Sequence, residues 1–422
     1  MKILIISYYF PPFNVVGAIR AGKMAKYLKQ LGHDVRVLAA DHQLWAPNLP
    51  VEIEEKYIIR TPWFNVNKPI ELLLGGKKKI AAQGFQGVKK LPSIFKAMGY
   101  FYKDCINFPD GQIGWYPYAI KAGKKLLDAW KPDFIWGSSS PPTSFLIAKK
   151  LSKYYKVPWV ADFRDLWADN HNAELYYSAI RRFIDAKLEK RVLATASALI
   201  TVSEPLADIL KNKFTQPVAV ITNGYDLEDY PKPDENKEKN SEFNIVYTGM
   251  IYPKKEDFSP FFEALSLLGD DIKNIKINFY GKGSHLIQKN AIQYGVADIV
   301  RYHDPVSYQE SLRLQVNADL LLLLIFDTNK ERGALPVKLF EYLGARKPIL
   351  LVGYQDCPAA DIIRKLNRGC VDNSATAIAQ FLKKCLLNKI EDKSPLLPLD
   401  SVCDYSRLEK AKELVTFLES LH

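Results

Sequence analysis

The sequence predicts an α/β protein in which two domains each contain a parallel sheet covered by helices. Its length is the first reason, because 422 residues are too many for one hydrophobic core and suit two domains of about 200 residues. The second reason is that short apolar runs alternate with helical patterns along the chain, which is typical of parallel sheets. The composition, 48% hydrophobic and 25% charged, is that of an ordinary globular protein.

The first alternation opens with a buried strand at residues 2–7 and a helix at residues 17–30, which stops at Gly32-His33. The other elements predicted in this half are strand 34–38, strand 134–136, helix 143–154, strand 159–162, helix 176–194 and strand 198–202. The opening strand and helix lack the Gly-x-Gly-x-x-Gly pattern, so no bound dinucleotide is implied.

The second alternation follows residues 231–240, a polar and Pro-broken segment that we interpret as the interdomain linker. The elements predicted after it are strand 244–248, helix 258–268, strand 276–280, helix 284–294, strand 299–302, helix 307–316, strand 320–325, helix 336–344, strand 349–352 and helix 405–421. Two similar halves therefore account for most of the chain.

The segment 333–350 carries the most specific functional signal. It follows the apolar strand 320–325, and Pro336 is predicted at the first helical position, so the first-turn N–H groups form an anion site. Lys338 and Glu341 are three residues apart and share one helical face. A cation and a carboxylate beside an anion site suit a nucleotide sugar, although a surface ion pair on an ordinary helix is the alternative.

This segment resembles the donor-binding motif of glycosyltransferase family 4, which has the GT-B fold. The resemblance implies two Rossmann-like domains with parallel sheets facing across a cleft. It also implies that Glu341 holds the donor's ribose hydroxyls and that Pro336, Val337 and Lys338 belong to the donor site. The family's first glutamate falls at Gly333 and is missing, as is common in the divergent branch with Pro-x-Lys-x-x-Glu-Tyr.

Three further motifs resemble the family in the same order. The start of the chain to Pro12, then Gly17 and Arg20, resembles the opening strand and acceptor-side loop. The segment 159–167 is similar to that at the catalytic centre, and Val202-Ser-Glu204 with Ile221–Tyr225 resembles the last strands of the first domain. The resemblance implies an acceptor-side domain at 1–225, a nucleotide-sugar domain at 226–404, and a helix at 405–422 that crosses back to the first domain.

The motif Asp162-Phe-Arg-Asp165 supplies the catalytic candidates Arg164, Asp162 and Asp165. Many relatives carry a histidine where this chain has Arg164. An arginine cannot be a base here, but its fixed fork of donors can hold hydroxyls or phosphate. The alternative is a structural Asp–Arg network, and the division of roles among the three residues stays open.

The donor's phosphates have their own candidates. Gly249 begins a turn that resembles the family's phosphate-holding loop, with Met250 at the family's Arg position. Lys254 and Lys255 follow this turn and are candidates for binding the donor. Lys255 is also a catalytic candidate, because a cation beside the diphosphate stabilises it as it leaves. Solvated loop lysines are the alternative. The resemblance implies that Gly17 lies against the donor, whereas a plain helix-start glycine is the other interpretation.

The remaining site candidates each have two interpretations. Arg20 either contacts an anionic acceptor or is solvated. Ser139 and Ser140 end a strand, where their hydroxyls contact the acceptor or merely cap the next helix. Tyr302 is predicted to belong to the donor site, where its ring would stack on the nucleobase.

Charge is unevenly distributed. The net charge is +11, and residues 1–225 hold 32 Lys/Arg and 18 Asp/Glu, which gives +14 for the first domain. Residues 68–103 contain eight lysines and one acid in a basic amphipathic pattern. This favours contact with an anionic membrane, and the alternative is an ordinary helix with a solvated lysine face. No nucleic-acid recognition motif is present.

These observations predict a cytoplasmic enzyme, peripheral on the inner face of the cell membrane. The five cysteines are scattered, which favours reduced thiols, and the six histidines lack metal-ligand spacing, so no metal or other cofactor is expected. The leading function is a retaining glycosyltransferase of the hexosyltransferase type, acting in cell-surface glycan biosynthesis. It would use a UDP- or GDP-linked sugar and a lipid-linked or polysaccharide acceptor. The alternatives are a nucleotide-sugar epimerase or hydrolase, or a degenerate donor-binding partner protein.

Overall fold

The computed structural model describes residues 1–43, 45–68, 104, 106–170, 177–231, 242–251, 257–325, 333, 335–367, 369–391 and 396–421. The chain divides into two compact units. The first contains Met1–Ile221 with Ala411–His422, and the second contains Thr222–Lys410. Each unit is an α/β structure built on a parallel sheet, which confirms the predicted fold class.

The first unit has seven parallel strands in the order β3-β2-β1-β4-β5-β6-β7. They are β1 Lys2–Ser7, β2 Asp34–Ala40, β3 Ile58–Thr61, β4 Phe134–Ser139, β5 Trp159–Phe163, β6 Ala198–Thr201 and β7 Val218–Val220. The connections from β1 through β2 to β3 run to one side of β1, and the connection from β3 to β4 returns to its other side. A crevice therefore opens where β1 and β4 end. Ligands of such sheets bind at this switch point, outside the carboxyl ends of the strands.

Five helices lie between these strands in the described part of the first unit. They are α1 Val16–Gln30, α2 Tyr116–Ala129, α3 Thr143–Tyr155, α4 Ala179–Leu193 and α5 Glu204–Lys213. Because helices cover the sheet on both faces, a central strand has apolar side chains on both of its sides, as in the Ile-Leu-Ile-Ile run of β1. The core on one face packs around the fully buried Trp115 and Trp159.

The second unit repeats the pattern with six parallel strands in the order β10-β9-β8-β11-β12-β13. They are β8 Phe243–Thr248, β9 Ile275–Tyr280, β10 Val300–His303, β11 Leu320–Ile325, β12 Ile349–Gly353 and β13 Gly369–Val371. Its switch point lies between β8 and β11. Two hydrophobic clusters, one containing Phe279 and the other Phe340, form the core of this unit.

The helices of the second unit complete the chain. They are α6 Ser259–Ser266, α7 Gln288–Gln293, α8 Tyr308–Val316, α9 Val337–Ala345, α10 Pro358–Leu366, α11 Ala375–Ile390 and α12 Leu399–Val402, followed by α13 Arg407–Glu419. Short 3-10 turns are Glu55–Tyr57, Ile113–Trp115, Leu227–Asp229, Gly269–Asn274, Ser284–Ile287, Ala297–Ile299 and Cys403–Tyr405. Helix α13 continues from the second unit into the part of the chain assigned to the first.

Several sequence predictions need correction. The helix predicted at 284–294 is a 3-10 turn followed by the short α7. The edge strands β3, β7 and β13 and the helices α2, α5, α10, α11 and α12 were not predicted. The linker segment after Pro231 and the basic segment after Lys68 lie outside the described residues. Among the helices that the structure describes, none has the length and apolar character needed to span a bilayer.

Candidate functional site

The strongest candidate site lies at the switch point of the second unit, where α9 follows β11. Helix α9 begins at Val337, one residue later than predicted, and Pro336 stands before it with extended backbone (φ −64°, ψ 140°). The carbonyl of Pro336 still accepts from the Leu339 N–H at 3.0 Å, so this proline occupies the N-cap position. The N–H groups at the start of α9 that have no intrahelical acceptor point out of its N-terminal end, as an anion site requires.

Tyr342 bridges the two central strands of this unit. Strands β8 and β11 pair at Ile245 and Val246. Further along, the buried Tyr342 hydroxyl accepts from the Thr248 N–H and donates to the Leu322 carbonyl, both at 3.2 Å. Burial raises the pKa of Tyr342 to about 12, so the phenol keeps its proton. The tyrosine of the Pro-x-Lys-x-x-Glu-Tyr motif thus fixes α9 against the sheet edge.

Glu341 lies one residue earlier and is half-buried. Its Oε2 accepts from Gln315 Nε2 of α8 at 3.1 Å, and the same nitrogen donates to Thr248 Oγ1 at 3.0 Å. Burial raises the pKa of Glu341, against the opposing effects of Gln315 and Lys338. In the part of the chain that the structure describes, Gln315 is the one hydrogen-bond partner of this carboxylate, which leaves acceptor capacity for a ligand's hydroxyls.

Lys338 is held by a different element. Its Nζ donates to the Tyr247 hydroxyl at 2.8 Å and lies 4.2 Å from the centroid of that ring, as in a cation–π contact. The Tyr247 hydroxyl in turn donates to the Met250 carbonyl at 3.0 Å. Lys338 is therefore tied to the loop after β8, while Glu341 is tied to α8.

The predicted donor residue Gly249 lies in the same loop. It has φ +134°, and a Cβ there would come within 2.9 Å of Lys338 Nζ. Gly281 at the end of β9 has φ +145°, and its Cβ would lie 2.0 Å from the Gly249 carbonyl oxygen. Gly281 needs glycine because the two loops meet backbone to backbone there, whereas at Gly249 the positive φ is what disfavours a side chain. Lys254 and Lys255 lie outside the described residues.

Tyr302 does not present its ring for a nucleobase, which corrects the prediction. Its ring stacks on Phe279 at 6.4 Å between centroids, and its hydroxyl is buried in the core. Strand residues alternate between faces, so the next residue, His303, lies on the other side. There it stacks on Tyr280 at 4.2 Å, and burial lowers the pKa of His303.

The first unit contains a buried ion pair among its predicted site residues. Arg20 is 1% exposed and Asp162 is fully buried. Arg20 donates to both carboxylate oxygens, with Nε–Oδ2 at 3.0 Å and Nη2–Oδ1 at 2.6 Å. Ser138 Oγ donates to Oδ2 at 2.9 Å, and Arg20 also reaches the Ile221 carbonyl. Arg20 is therefore neither solvated nor turned to an acceptor, and Asp162 acts as its counter-ion.

Arg164 occupies the end of β5 and is half-buried. Its Nε donates to the Ser139 carbonyl at 2.9 Å, and Nη2 donates to the Ser140 carbonyl. A Cβ on Gly17 would lie 2.5 Å from Nη1, so this glycine leaves room for the guanidinium beside the first turn of α1. Among the described residues no partner is found for Nη1. Burial lowers the pKa of Arg164, with Asp165 and Asp162 acting in the opposite sense.

The two predicted acceptor-side serines contribute their carbonyls to Arg164. Ser139 is 1% exposed, and its hydroxyl is buried, so it is not presented to an acceptor as predicted. The peptide bonds between Ser139 and Ser140 and between Ser140 and Pro141 are cis. Both serine carbonyls accept hydrogen bonds from the same guanidinium. Ser140 is half-buried, and Asp165 is exposed at the end of the motif.

Sequence reasoning missed several residues that hold the candidates in place. Gln315 and Tyr247 orient Glu341 and Lys338, and Ser138 completes the surroundings of Asp162. Ser138 directly precedes Ser139 and Ser140 in the chain, and its position at the end of a strand is the signal that could have found it. Gln315 is a buried amide in an otherwise ordinary helix, and only its lack of exposure marks it.

Two Rossmann-like units with parallel sheets are the architecture of the GT-B glycosyltransferases, and solved structures of similar architecture match the chain over its length. Sucrose-phosphate synthase from Thermosynechococcus elongatus has a TM-score of 0.61 at 15% identity, covering 100% of this chain and 99% of that chain. WaaG, a glycosyltransferase involved in lipopolysaccharide biosynthesis, has a TM-score of 0.52 at 15% identity, covering 99% of this chain and 95% of that chain. A putative UDP-N-acetylglucosamine 2-epimerase from Listeria monocytogenes has a TM-score of 0.54 at 11% identity, covering 99% of this chain and 96% of that chain. At these identities the likeness shows the fold.

The family follows from sequence. The profile described as Glycosyltransferase Family 4 matches residues 18–229, which is half of the chain. The protein belongs to this family and is a glycosyltransferase. No curated protein matches the chain in sequence. The matched range includes Arg20, Asp162 and Arg164, whereas Glu341 and Lys338 lie beyond it.

Proposed function

We propose that this protein transfers a hexosyl group, with retention at the anomeric carbon, from a UDP- or GDP-linked sugar to a lipid-linked or polysaccharide acceptor in cell-surface glycan biosynthesis. The observation that carries the proposal is the Glu341 carboxylate, which has one hydrogen-bond partner among the described residues and lies three positions from Lys338 at the start of α9. Family membership supports the reaction class, and the name of one structural neighbour, involved in lipopolysaccharide biosynthesis, supports the acceptor class.

The donor would be held by complementary charges. Glu341 would accept hydrogen bonds from two ribose hydroxyls, since a carboxylate is a charge-assisted acceptor with two oxygens. The diphosphate would lie at the first turn of α9, where unpaired N–H groups carry partial positive charge. Lys338, placed by Tyr247, would add a full positive charge at that position. With these groups present, the proposal needs no metal ion.

The transfer itself exchanges one bond for another. The bond between the anomeric carbon and the diphosphate oxygen breaks, and its electron pair leaves with the diphosphate. The acceptor hydroxyl oxygen forms a new bond to the same carbon on the same face, and its proton passes to the released diphosphate. Cations preorganised where this negative charge develops lower the barrier most, and Lys338 of the second unit is proposed in that role. Arg164 is proposed as the catalytic residue of the first unit. Asp165, exposed beside Arg164, remains a candidate for contacting the sugar.

Replacing Glu341 by alanine tests donor binding. We expect Glu341→Ala to weaken binding of the correct sugar nucleotide by about 1.5–3 kcal/mol, because charge-assisted hydrogen bonds to the ribose are lost. The measurement is isothermal titration calorimetry after a thermal-shift screen of UDP- and GDP-linked sugars. The matched control is Asp361→Ala, an exposed carboxylate on α10 of the same unit. Equal affinities in wild type and Glu341→Ala would remove Glu341 from the donor site.

Donor binding should also depend on pH with a defined sign. Burial raises the pKa of Glu341, so its carboxylate takes up a proton at a higher pH than an ordinary glutamate. A protonated carboxyl accepts fewer hydrogen bonds, and affinity for the sugar nucleotide should therefore fall as pH is lowered through that raised pKa. Lys338, Arg407 and Asp229 also influence this carboxyl. The Glu341→Gln variant should bind weakly with a flat pH profile; the same slope in both proteins would assign the effect elsewhere.

A nucleotide-sugar epimerase or hydrolase is the second candidate, favoured by the fold shared with a putative epimerase. Incubation of the protein with each bound sugar nucleotide separates the possibilities. Product that forms only when a lipid-linked or glycan acceptor is added supports the transferase, and proton NMR of that product gives the anomeric configuration. Free sugar or an epimerised donor without acceptor would favour the alternative.

A further inference from the structure

Helix α4 of the first unit has its polarity reversed relative to an ordinary surface helix. Three charged side chains are on its inner face, Arg181 at 2%, Asp185 at 5% and Glu189 at 1% exposure. Three large apolar side chains are on its outer face, and they are Ile180 at 74%, Phe183 at 60% and Ile184 at 44% exposure. A helix of a globular protein normally places these two classes the other way round.

The inner charges fix this orientation, because each has a specific partner. Arg181 pairs with Asp185 at 2.8 Å and donates to the carbonyls of Asn107 and Pro109. Glu189 pairs with Lys213 of α5 at 2.8 Å. Turning α4 to bury its apolar side chains would break these pairs and would carry the cations of the outer face into the interior without partners, which is costly. The apolar face is therefore held outward by the structure of the unit itself.

The exposed charges of α4 are all positive. Lys187, Lys190 and Arg191 follow the apolar residues along the outer side, and Lys187 Nζ lies 4.3 Å from the Phe183 ring centroid. Both acids of the helix are on the buried side, so they do not offset these cations at the surface. From α3, Lys149 donates to the Arg191 carbonyl, which adds a further cation beside the end of α4.

We propose that the outer face of α4 docks on an anionic lipid membrane. Aromatic and branched apolar side chains followed by cations on one helical face match the interface between acyl chains and anionic headgroups. The first half of the chain carries the surplus of positive charge, which adds attraction to the same surface. The inference deepens the proposed function and rests on it in one respect, because a lipid-linked acceptor would meet the enzyme at this membrane.

Vesicle sedimentation of the full chain tests the proposal. One set of vesicles is phosphatidylcholine alone, and the other is phosphatidylcholine with about one-third phosphatidylglycerol, an anionic lipid. The apolar variant is Ile180→Asn with Phe183→Asn and Ile184→Asn, and the charge variant is Lys187→Gln with Lys190→Gln and Arg191→Gln. The controls are the equally exposed α11 positions of the second unit, Leu387→Asn with Ile390→Asn and Lys383→Gln with Lys384→Gln. Circular dichroism verifies folding of every variant.

We expect wild type and both controls to bind anionic vesicles, and binding to weaken as salt rises. The apolar variant should bind at least about tenfold more weakly, and the charge variant on the order of a hundredfold more weakly at low salt, at about fivefold per cation. Unchanged binding in both α4 variants would overturn the proposal and assign the attraction to another basic segment. Absence of wild-type binding would also overturn it. So would a concentration-dependent dimer that only the apolar variant loses, since the face would then meet a second copy.

Donor affinity, measured on the same proteins without vesicles, keeps this test separate from the proposed function. If the α4 variants no longer bind vesicles but bind the sugar nucleotide as wild type does, the docking surface is confirmed independently of the donor site. If wild type binds vesicles through α4 but no sugar nucleotide, the proposed function fails while the membrane surface remains.

Discussion

Asp162→Ala is expected to lower the free energy of unfolding of the first unit by about 3–5 kcal/mol. The substitution removes a fully buried carboxylate and leaves the Arg20 guanidinium, itself 1% exposed, without its counter-ion. Ser138 loses an acceptor at the same time. A buried charge without a partner costs far more than the pair contributed, so the loss should exceed that of any surface pair.

The measurement is urea unfolding followed by tryptophan fluorescence. All seven tryptophans lie between residues 45 and 167, so this signal reports on the first unit alone. The matched control is Asp208→Ala, which breaks an exposed pair with Lys211 in the same unit and should cost less than about 1 kcal/mol. The double variant Arg20→Met with Asp162→Leu should lose much less than Asp162→Ala, because no charge remains buried. A loss in Asp162→Ala no larger than in Asp208→Ala would show that the pair does not support the fold.

The interior strands could be predicted because burial on both faces leaves a continuous apolar run. The strand predicted at 320–325 has the bounds of β11, in which all six residues are buried. The edge strands β3, β7 and β13 gave no such signal. β7 and β13 each consist of three half-buried residues, and β3 has two half-buried residues between two buried ones, so neither length nor alternation distinguishes these strands from loops.

Helix α9 was predictable from local spacing and family resemblance, whereas the contacts of its residues were not. Glu341 is held by a glutamine 26 positions away and Lys338 by a tyrosine 91 positions away. Arg20 and Asp162, 142 positions apart, were predicted separately and with different roles. A single sequence gives residue types and periodicity, but it carries no signal for which distant side chains meet, and the parallel topology determines that.

Arg164→Ala is expected to lower turnover about a hundredfold or more, equivalent to at least about 2.7 kcal/mol in the barrier, while donor affinity stays near that of wild type. In the structure, Nε and Nη2 of Arg164 are fixed by the carbonyls of Ser139 and Ser140, which directs Nη1 past Gly17 at the start of α1. A donor preorganised in this way stabilises charge that develops in the transition state. We therefore expect the substitution to affect the chemical step more than binding.

Arg164→Lys separates positioning from charge alone. Lysine keeps a positive charge, but its single ammonium cannot donate to both carbonyls and also project a third N–H in the guanidinium plane. Turnover should therefore fall at least about tenfold, between wild type and Arg164→Ala. Single-turnover kinetics at saturating sugar nucleotide give the rate, and urea unfolding by tryptophan fluorescence shows whether the first unit is intact. Full activity in Arg164→Lys would reduce the requirement to a positive charge. Activity lost in both variants only in proportion to unfolded protein would make Arg164 a brace for the loop at residues 139–141, with Nη1 uninvolved in the reaction.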